Sequence, residues 1–216
     1  MSSILSVVLA TSNEGKLLEL KALLGDLPIQ LLSVTSVTGE RFSVNEDGST
    51  FEENAVKKAK AAAALTGLYA LADDSGLEVD ALAGRPGVRS ARFAHERATD
   101  AENNAALLRE LDEIDDGVRQ ARFRCVLALA SPWQPDRVAT VEGGCEGLIA
   151  RAPRGSGGFG YDPLFILPEL EGRAMAELSE SEKNAISHRA RAARAMRAVL
   201  IGMLDARLLE VERALV

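Results

Sequence analysis

Ala70-Leu71-Ala72-Asp73-Asp74-Ser75-Gly76-Leu77 carries a short apolar run straight into two adjacent carboxylates, a hydroxyl and a glycine, after which apolar residues resume at Leu77 and Val79. The run predicts a buried strand that ends at the acids. Neighbouring carboxylates at the edge of a core are costly unless something neutralises them. A divalent ion does so, since Mg²⁺ is typically held by one or two carboxylates together with substrate phosphates. A turn in which Asp74 or Ser75 caps its own backbone before Gly76 does so as well, and the stretch alone leaves both readings open.

The 216 residues suit one large domain or two small lobes. Hydrophobic content of 47% with 26% charged residues is ordinary for a globular chain, and an aromatic content of 4% leaves Leu, Val and Ala to fill the interior. A net charge of -7 without a basic block speaks against broad binding to nucleic acid or to an anionic membrane. A polyanionic substrate would have to be drawn by a local Lys and Arg cluster or by a metal, which favours a small ligand. Cys125 and Cys145 fall in predicted strands with no CxxC partner, so they are expected as buried thiols in a reducing compartment. Met1-Ser-Ser-Ile-Leu lacks a basic region, and no apolar run approaches the roughly 18 residues of a membrane span. The expected location is cytoplasmic.

Working outward toward the N-terminus, Ile4 to Ala10 predicts a strand covered on both faces. Thr11-Ser-Asn-Glu-Gly-Lys16 follows, with leucines at helical spacing behind it and Asn13 as the N-cap. Lys16 in a first helical turn gains nothing from the helix dipole unless an anion sits there too. Free N–H groups with Thr11, Ser12 and Lys16 would cradle a phosphate, although a plain strand-to-helix junction has the same pattern and this is not the longer Walker loop. Leu31 to Val37 is a second predicted strand, and Val44 to Thr50 a polar loop. Thr50-Phe-Glu-Glu53 reads as a capping box opening a helix that Gly67 closes, with Asn54 and Lys58 on one face. Lys57 and Lys58 are open to a surface reading.

Toward the C-terminus, Gly84 to Phe93 is a basic, glycine-punctuated loop in which Ser90 and Arg92 could touch a ligand or a partner subunit. His95 reads as a loop histidine. Thr99-Asp-Ala-Glu102 is a further capping box, starting a helix whose exposed face is ordinary. Arg122 to Ala130 and Arg137 to Val141 predict an antiparallel pair around Pro132-Trp133, with Trp133 as a loop anchor. Glu142 to Ala150 continues the sheet, its glycines marking a bulge or a close backbone approach. Arg154-Gly-Ser-Gly-Gly-Phe159-Gly-Tyr161-Asp162 can fold around a flat ligand, with Phe159 stacking on a ring and Asp162 hydrogen-bonding it. Leu164 to Leu167 is a short strand. Ser179 to Glu182 opens the last helical region, which Gly202 is placed to bend, and adjacent His188 and Arg189 are not expected to face the core together.

The ordered set of these stretches resembles the house-cleaning nucleoside triphosphate pyrophosphatases that remove inosine and xanthosine triphosphates. The matching pieces are Thr11 to Lys16, Thr50 to Ala55 with Lys58, Ala72 to Leu77, Ser90 to Phe93, Gly158 to Pro163 and Ser187 to Arg189. They run in family order almost end to end. The resemblance implies an α/β fold with an elongated mixed β-sheet, flanked by helices, in two lobes with a cleft between them. Residues 1–216 would form this one domain, the second lobe built mainly from about residues 121–168. It also implies a homodimer and Mg²⁺-dependent hydrolysis of a purine nucleoside triphosphate to the monophosphate and pyrophosphate.

Carried onto this chain, the resemblance places Thr11, Ser12, Asn13, Glu14, Gly15, Lys16, Lys58 and Ser75 on the phosphates. Glu46, Asp73 and Asp74 would hold the metal, with Asp74 as proton acceptor, Asp73 supporting metal or water, and Lys16 assisting. Phe159, Gly160, Tyr161, Asp162, Lys183, His188 and Arg189 would select the base, a donor such as Arg189 favouring a 6-oxo purine over adenine. Two other readings stand beside this one: a pyrophosphatase of broader specificity, and a non-catalytic nucleotide sensor or RNA-binding module. The charge of -7 and the lack of a basic, aromatic stripe argue against extended RNA binding. Glu46, Asp73, Asp74 and Lys16 argue against silence.

Overall fold

A computed structural model describes residues 5–214, so Ile4 lies outside the described residues. In chain order the elements are β1 (Leu5–Leu9), α1 (Glu14–Leu24), β2 (Ile29–Ser33), α2 (Val34–Thr38), α3 (Phe51–Thr66) and β3 (Tyr69–Val79). They continue with α4 (Asp100–Glu110), β4 (Gln120–Ser131), β5 (Gln134–Ile149), β6 (Phe165–Leu167), β7 (Arg173–Ala174), α5 (Glu180–Ile186) and α6 (His188–Ala214). The strands form one seven-stranded sheet in the order β2-β1-β3-β4-β5-β6-β7. β1 is parallel to both its neighbours, and the remaining pairings are antiparallel, so the sheet is mixed.

Apolar residues on both sides of the strands explain why helices cover both faces. Leu20 and Leu24 of α1 and Ala192, Ala193, Met196 and Leu200 of α6 pack with Val7, Leu9, Leu71 and Leu127 on one face. Ala55, Ala59, Ala62 and Ala63 of α3 pack with Val8, Ala70, Ala72 and Ala128 on the other, where small side chains let the helix lie close. A third apolar cluster, around Leu107, Phe123, Tyr161 and Phe165, fills the far end of the sheet.

β3 does not end at the acids. It runs unbroken from Tyr69 to Val79 through Asp73-Asp74-Ser75-Gly76, with Asp73 opposite Leu127 and Asp74 opposite Val126 on β4. The turn reading of this stretch is therefore wrong, because its backbone is held by the β4 ladder. Alternate strand residues face opposite sides. Leu71 and Asp73 accordingly point toward α1 and α6, and Ala72 and Asp74 toward α3.

Other expectations shift in instructive ways. Leu31 to Val37 is strand only as far as Ser33, whose hydroxyl caps α2, while Gly39 closes that helix at φ +75°. Thr50 caps α3 through Glu53 N–H at 3.1 Å, but the Glu53 carboxylate reaches Ser49 rather than Thr50, so the box is only half formed. The last helical region breaks at Ser187, in extended conformation with ψ 158°, while α6 passes through Gly202 without interruption. Gly143 marks a close approach, since a Cβ there would meet the His188 carbonyl at 2.3 Å, and the register shift lies elsewhere, at Ala130/Ser131. Trp133 sits at the β4-β5 turn, edge-on to Tyr69 at 5.4 Å. Cys125 and Cys145 are buried and free.

Candidate active site

The crevice lies where the sheet topology makes room for one. β1 is flanked by β2 and β3, which the chain reaches by crossing in opposite directions, and open α/β sheets bind ligands outside the carboxyl end of a strand at such a switch point. β1 pairs with β3 only as far as Leu71, so the β3 edge from Ala72 onward is free of a strand partner until the segment around Pro86 and Ser90 meets it. Asp73, Asp74 and Ser75 occupy that interval.

On the floor of the crevice α1 begins. The Asn13 side chain accepts Lys16 N–H at 3.0 Å, and Thr11 Oγ1 accepts Asn13 N–H at 3.1 Å. Thr11, Ser12, Asn13, Lys16, Glu46, Lys58, Asp74 and Ser75 line one groove of about 370 Å³. Lys58 sits 7% exposed on α3, and its Nζ lies 2.6 Å from Asp74 Oδ1 and 3.0 Å from Glu46 Oε1. Its neighbour Lys57 is the surface lysine, paired with Asp47. Burial raises the Asp74 carboxyl, Lys58 and Lys16 pull against that, and the balance stays above the ordinary value. Burial works against the Lys58 charge too, yet Asp74 and Glu46 outweigh it and raise its pKa. We take the pair as ionised on the 2.6 Å geometry, with Asp74 a more basic carboxylate than usual.

Asp73, on the opposite face, has a different setting. Arg189 Nε donates to its Oδ2 at 2.7 Å, Lys16 Nζ lies 2.7 Å from Oδ1, Ser75 Oγ donates to Oδ1 at 2.9 Å and the Cys125 thiol faces Oδ2 at 3.3 Å. Burial opposes its charge, but Arg189 and Lys16 prevail and hold it well below the usual carboxylate range. Both oxygens are thus committed inside the protein. Among the described residues no three His, Cys, Asp or Glu side chains converge as a ready metal cage.

A second pocket of about 100 Å³ joins the first through Asn13, Lys16, Ser75 and Ala91, and Phe159, Gly160, Tyr161, Asp162, Lys183, His188 and Arg189 all line it. The Phe159 ring lies on the start of α1, where a Cβ at Gly15 would stand 2.6 Å from Cδ1, and Lys183 Nζ is 4.7 Å from the ring centroid. Asp162 is spent within its own loop, accepting from Phe159 N–H at 2.9 Å and from Lys183 Nζ at 2.6 Å. Tyr161 is 4% exposed and donates to Ser90 O at 2.9 Å. His188 and Arg189 are both buried, against expectation. They begin α6, so the break at Ser187 turns one toward Phe123, with rings 4.7 Å apart, and the other toward Asp73. Burial, with Arg189 adding, lowers the His188 pKa well below its ordinary value, so the ring is neutral.

Of the basic loop, Ser90 is an internal tether between Leu77 and Gly87, and Arg92 donates to the Glu46 carbonyl at 2.7 Å. His95 lies outside the crevice, beside Glu102. Sequence reasoning missed Glu19, whose carboxylate joins Lys183 and Arg189, and also Asp100, Asn103 and Asn104. Adjacent asparagines inside a helix are poor helix formers, and that cost was the readable signal.

An open mixed sheet with a capped helix start, a lysine-bridged carboxylate pair and an aromatic-lidded pocket meeting at one switch point defines a class of α/β proteins built to hold an anionic, flat-ringed small ligand. The chain belongs to the Ham1 family, whose profile matches residues 7–199. It is 54% identical over 188 residues to the dITP/XTP pyrophosphatase of Desulforamulus reducens, covering 87% of this chain and 92% of that protein. The dITP/XTP pyrophosphatase of Shigella flexneri is 49% identical over 186 residues, covering 86% and 93%. Among solved structures, a HAM1 protein from Coxiella burnetii superposes with a TM-score of 0.83 at 47% identity, over 92% of this chain and all of that one.

Proposed function

We propose that the protein hydrolyses non-canonical purine nucleoside triphosphates (ITP, dITP and XTP) to the monophosphate and pyrophosphate. The observation that carries this is the Lys58 bridge, which sets a basic carboxylate, Asp74, in the same groove as the α1 start and beside the aromatic-lidded pocket. The first-turn N–H groups of α1 at Glu14 and Gly15, with Thr11, Ser12, Lys16, Ser75 and Lys58, would take the phosphates. Water oxygen joins phosphorus at the α–β phosphoanhydride, its proton goes to Asp74, and pyrophosphate departs.

Mg²⁺ fits the residues present: Glu46 and Asp74 already converge on one cation position, that of the Lys58 ammonium, and two carboxylates plus phosphate oxygens are its usual set. When bound, the ion would neutralise phosphate charge. Asp73 leaves the metal set in this reading, because its oxygens are committed to Lys16 and Arg189. Its work is to hold those two cations in place. Arg189 likewise becomes a support for the pocket, since its three nitrogens meet Asp73, Glu19 and Ser75. Phe159 stacks on the base, and Lys183 and backbone N–H groups read the 6-oxo group.

A homodimer and a cytoplasmic site of action belong to the same proposal. A groove of about 760 Å³, which meets the phosphate groove at Val88, carries Glu78, Glu142, Arg85 and Arg124, both signs as a self-complementary face needs. Buried free thiols suit a reducing compartment, and no helix among the described residues is long and apolar enough to cross a membrane. Steady-state rates on ITP, XTP, GTP and ATP with Mg²⁺ test the reading. Clear preference for ITP and XTP supports it, and equal rates on ATP would remove the selectivity.

A further inference from the structure

We propose that the first two turns of α4 set the width of the base pocket, with Asp100 and Asn104 as positioning residues for base selection. The proposal rests on the pyrophosphatase reading above and adds to it an element that touches none of the reacting atoms.

One wall of the pocket is the Phe159 to Asp162 loop, and α4 grips both polar backbone atoms of Gly160 at its centre. Gly160 N–H donates to Asp100 Oδ2 at 2.6 Å, and Asn104 Nδ2 donates to Gly160 O at 2.9 Å. Another part of the wall is Ser90 and Ala91, at the start of a segment that runs on to Ala94. Asn103, which precedes Asn104 on the same helix, donates to Ala91 O at 3.1 Å and accepts from Ala94 N–H at 2.9 Å. Asp100 and Asn103 themselves line the pocket between the two walls. One rigid, capped helix therefore holds both sides at a fixed spacing, and the Tyr161 hydroxyl ties one wall to the other at Ser90 O.

The side chains chosen here cost stability, which a merely structural helix would avoid. Asn104 is 9% exposed and its Oδ1 is buried without a partner. An apolar residue would fill the site without that unmet acceptor. What the amide supplies in exchange is its bond to Gly160 O. At about 100 Å³ the pocket is small against typical ligand sites of roughly 300–1,000 Å³, so its walls decide which ring enters. Hypoxanthine and guanine differ by one exocyclic amino group, a difference that wall spacing can read.

The test compares wild type, Asn104→Ala, Asp100→Ala and Asp100→Asn in two assays: kinetics on ITP and GTP, and calorimetric binding of IMP and GMP. In Asn104→Ala and Asp100→Ala the KM for ITP should rise about fivefold to tenfold with kcat within about twofold, and the preference for ITP over GTP should fall about tenfold. Asp100→Asn keeps an acceptor for Gly160 N–H and should restore the preference. A lower Tm with an unchanged ITP to GTP ratio would overturn the proposal and leave α4 a packing element. If wild type turns over no triphosphate, the pyrophosphatase reading falls by itself. The clamp then stands if the variants lose an IMP over GMP binding preference, and fails if that preference is unchanged in them or absent from wild type.

Discussion

Arg189 Nε meets Asp73 Oδ2 at 2.7 Å across 116 residues of sequence, and both side chains are almost fully buried. This pair separates two carboxylates that sit side by side in the chain. Asp73 faces α6 and is neutralised there, which leaves Asp74, on the opposite face of β3, for the proposed chemistry. Removing one partner of a buried pair costs about 3–5 kcal/mol. Asp73→Asn should therefore lower stability by about 3 kcal/mol near neutral pH, Glu19 still facing Arg189.

The pH dependence of that loss has a definite sign. Arg189 and Lys16, outweighing burial, hold the folded Asp73 carboxyl well below the usual range, whereas unfolded it titrates near about 3.9. Its contribution is present above about pH 4 and is lost as the pH falls below that value. Urea unfolding of wild type and Asp73→Asn between pH 3 and 7 should show a full gap at pH 6 that narrows below about pH 4. A gap that widens toward acid would contradict the ionised pair.

Asp74→Asn keeps the shape of the groove and removes the proposed proton acceptor. Turnover should drop by about 10²–10⁴, the usual worth of a general base, while affinity for ITP measured by calorimetry without divalent metal changes little. Turnover close to wild type would take the base role away from Asp74.

Glu46 can be tested without activity. Its backbone is held by Arg92 and its carboxylate shares Lys58 with Asp74. Electron spin resonance of Mn²⁺, titrated with a non-hydrolysable ITP analogue present, should show binding at least about tenfold weaker in Glu46→Gln than in wild type. Unchanged Mn²⁺ affinity would exclude Glu46 as a ligand.

Gly15, in the first turn of α1, lies directly under the Phe159 ring. A methyl group there would stand 2.6 Å from the Phe159 ring, so Gly15→Ala must push the ring off the helix start. The KM for ITP should rise about tenfold with a smaller change in kcat, and a crystal structure of the variant should show Phe159 displaced. An unmoved ring would contradict the contact.

Much of the fold was legible because its signals are local. Asn13, Thr50, Thr99 and Ser179 cap the helices expected of them, and the apolar runs of β1, β4 and β5 are strands. The misreadings arise where tertiary contacts decide. Acids, serine and glycine in Asp73 to Gly76 suggest a turn locally, but ten consecutive residue pairs with β4 keep them extended. Val34 to Thr38 is rich in β-branched residues, yet the caps at Ser33 and Gly39 make it a helical turn. The candidate site was readable as a set of residues, while the division between Asp73 and Asp74 depended on strand parity and on Arg189, more than a hundred positions away. Glu19 and Asn104 carry no motif of their own, and only packing gives them partners.

The central claim is the bond that breaks, and the direct measurement is ³¹P nuclear magnetic resonance of ITP incubated with the protein and Mg²⁺. Pyrophosphate and IMP appearing in equal amounts, with no intermediate diphosphate, is the predicted result. Orthophosphate and IDP would contradict it.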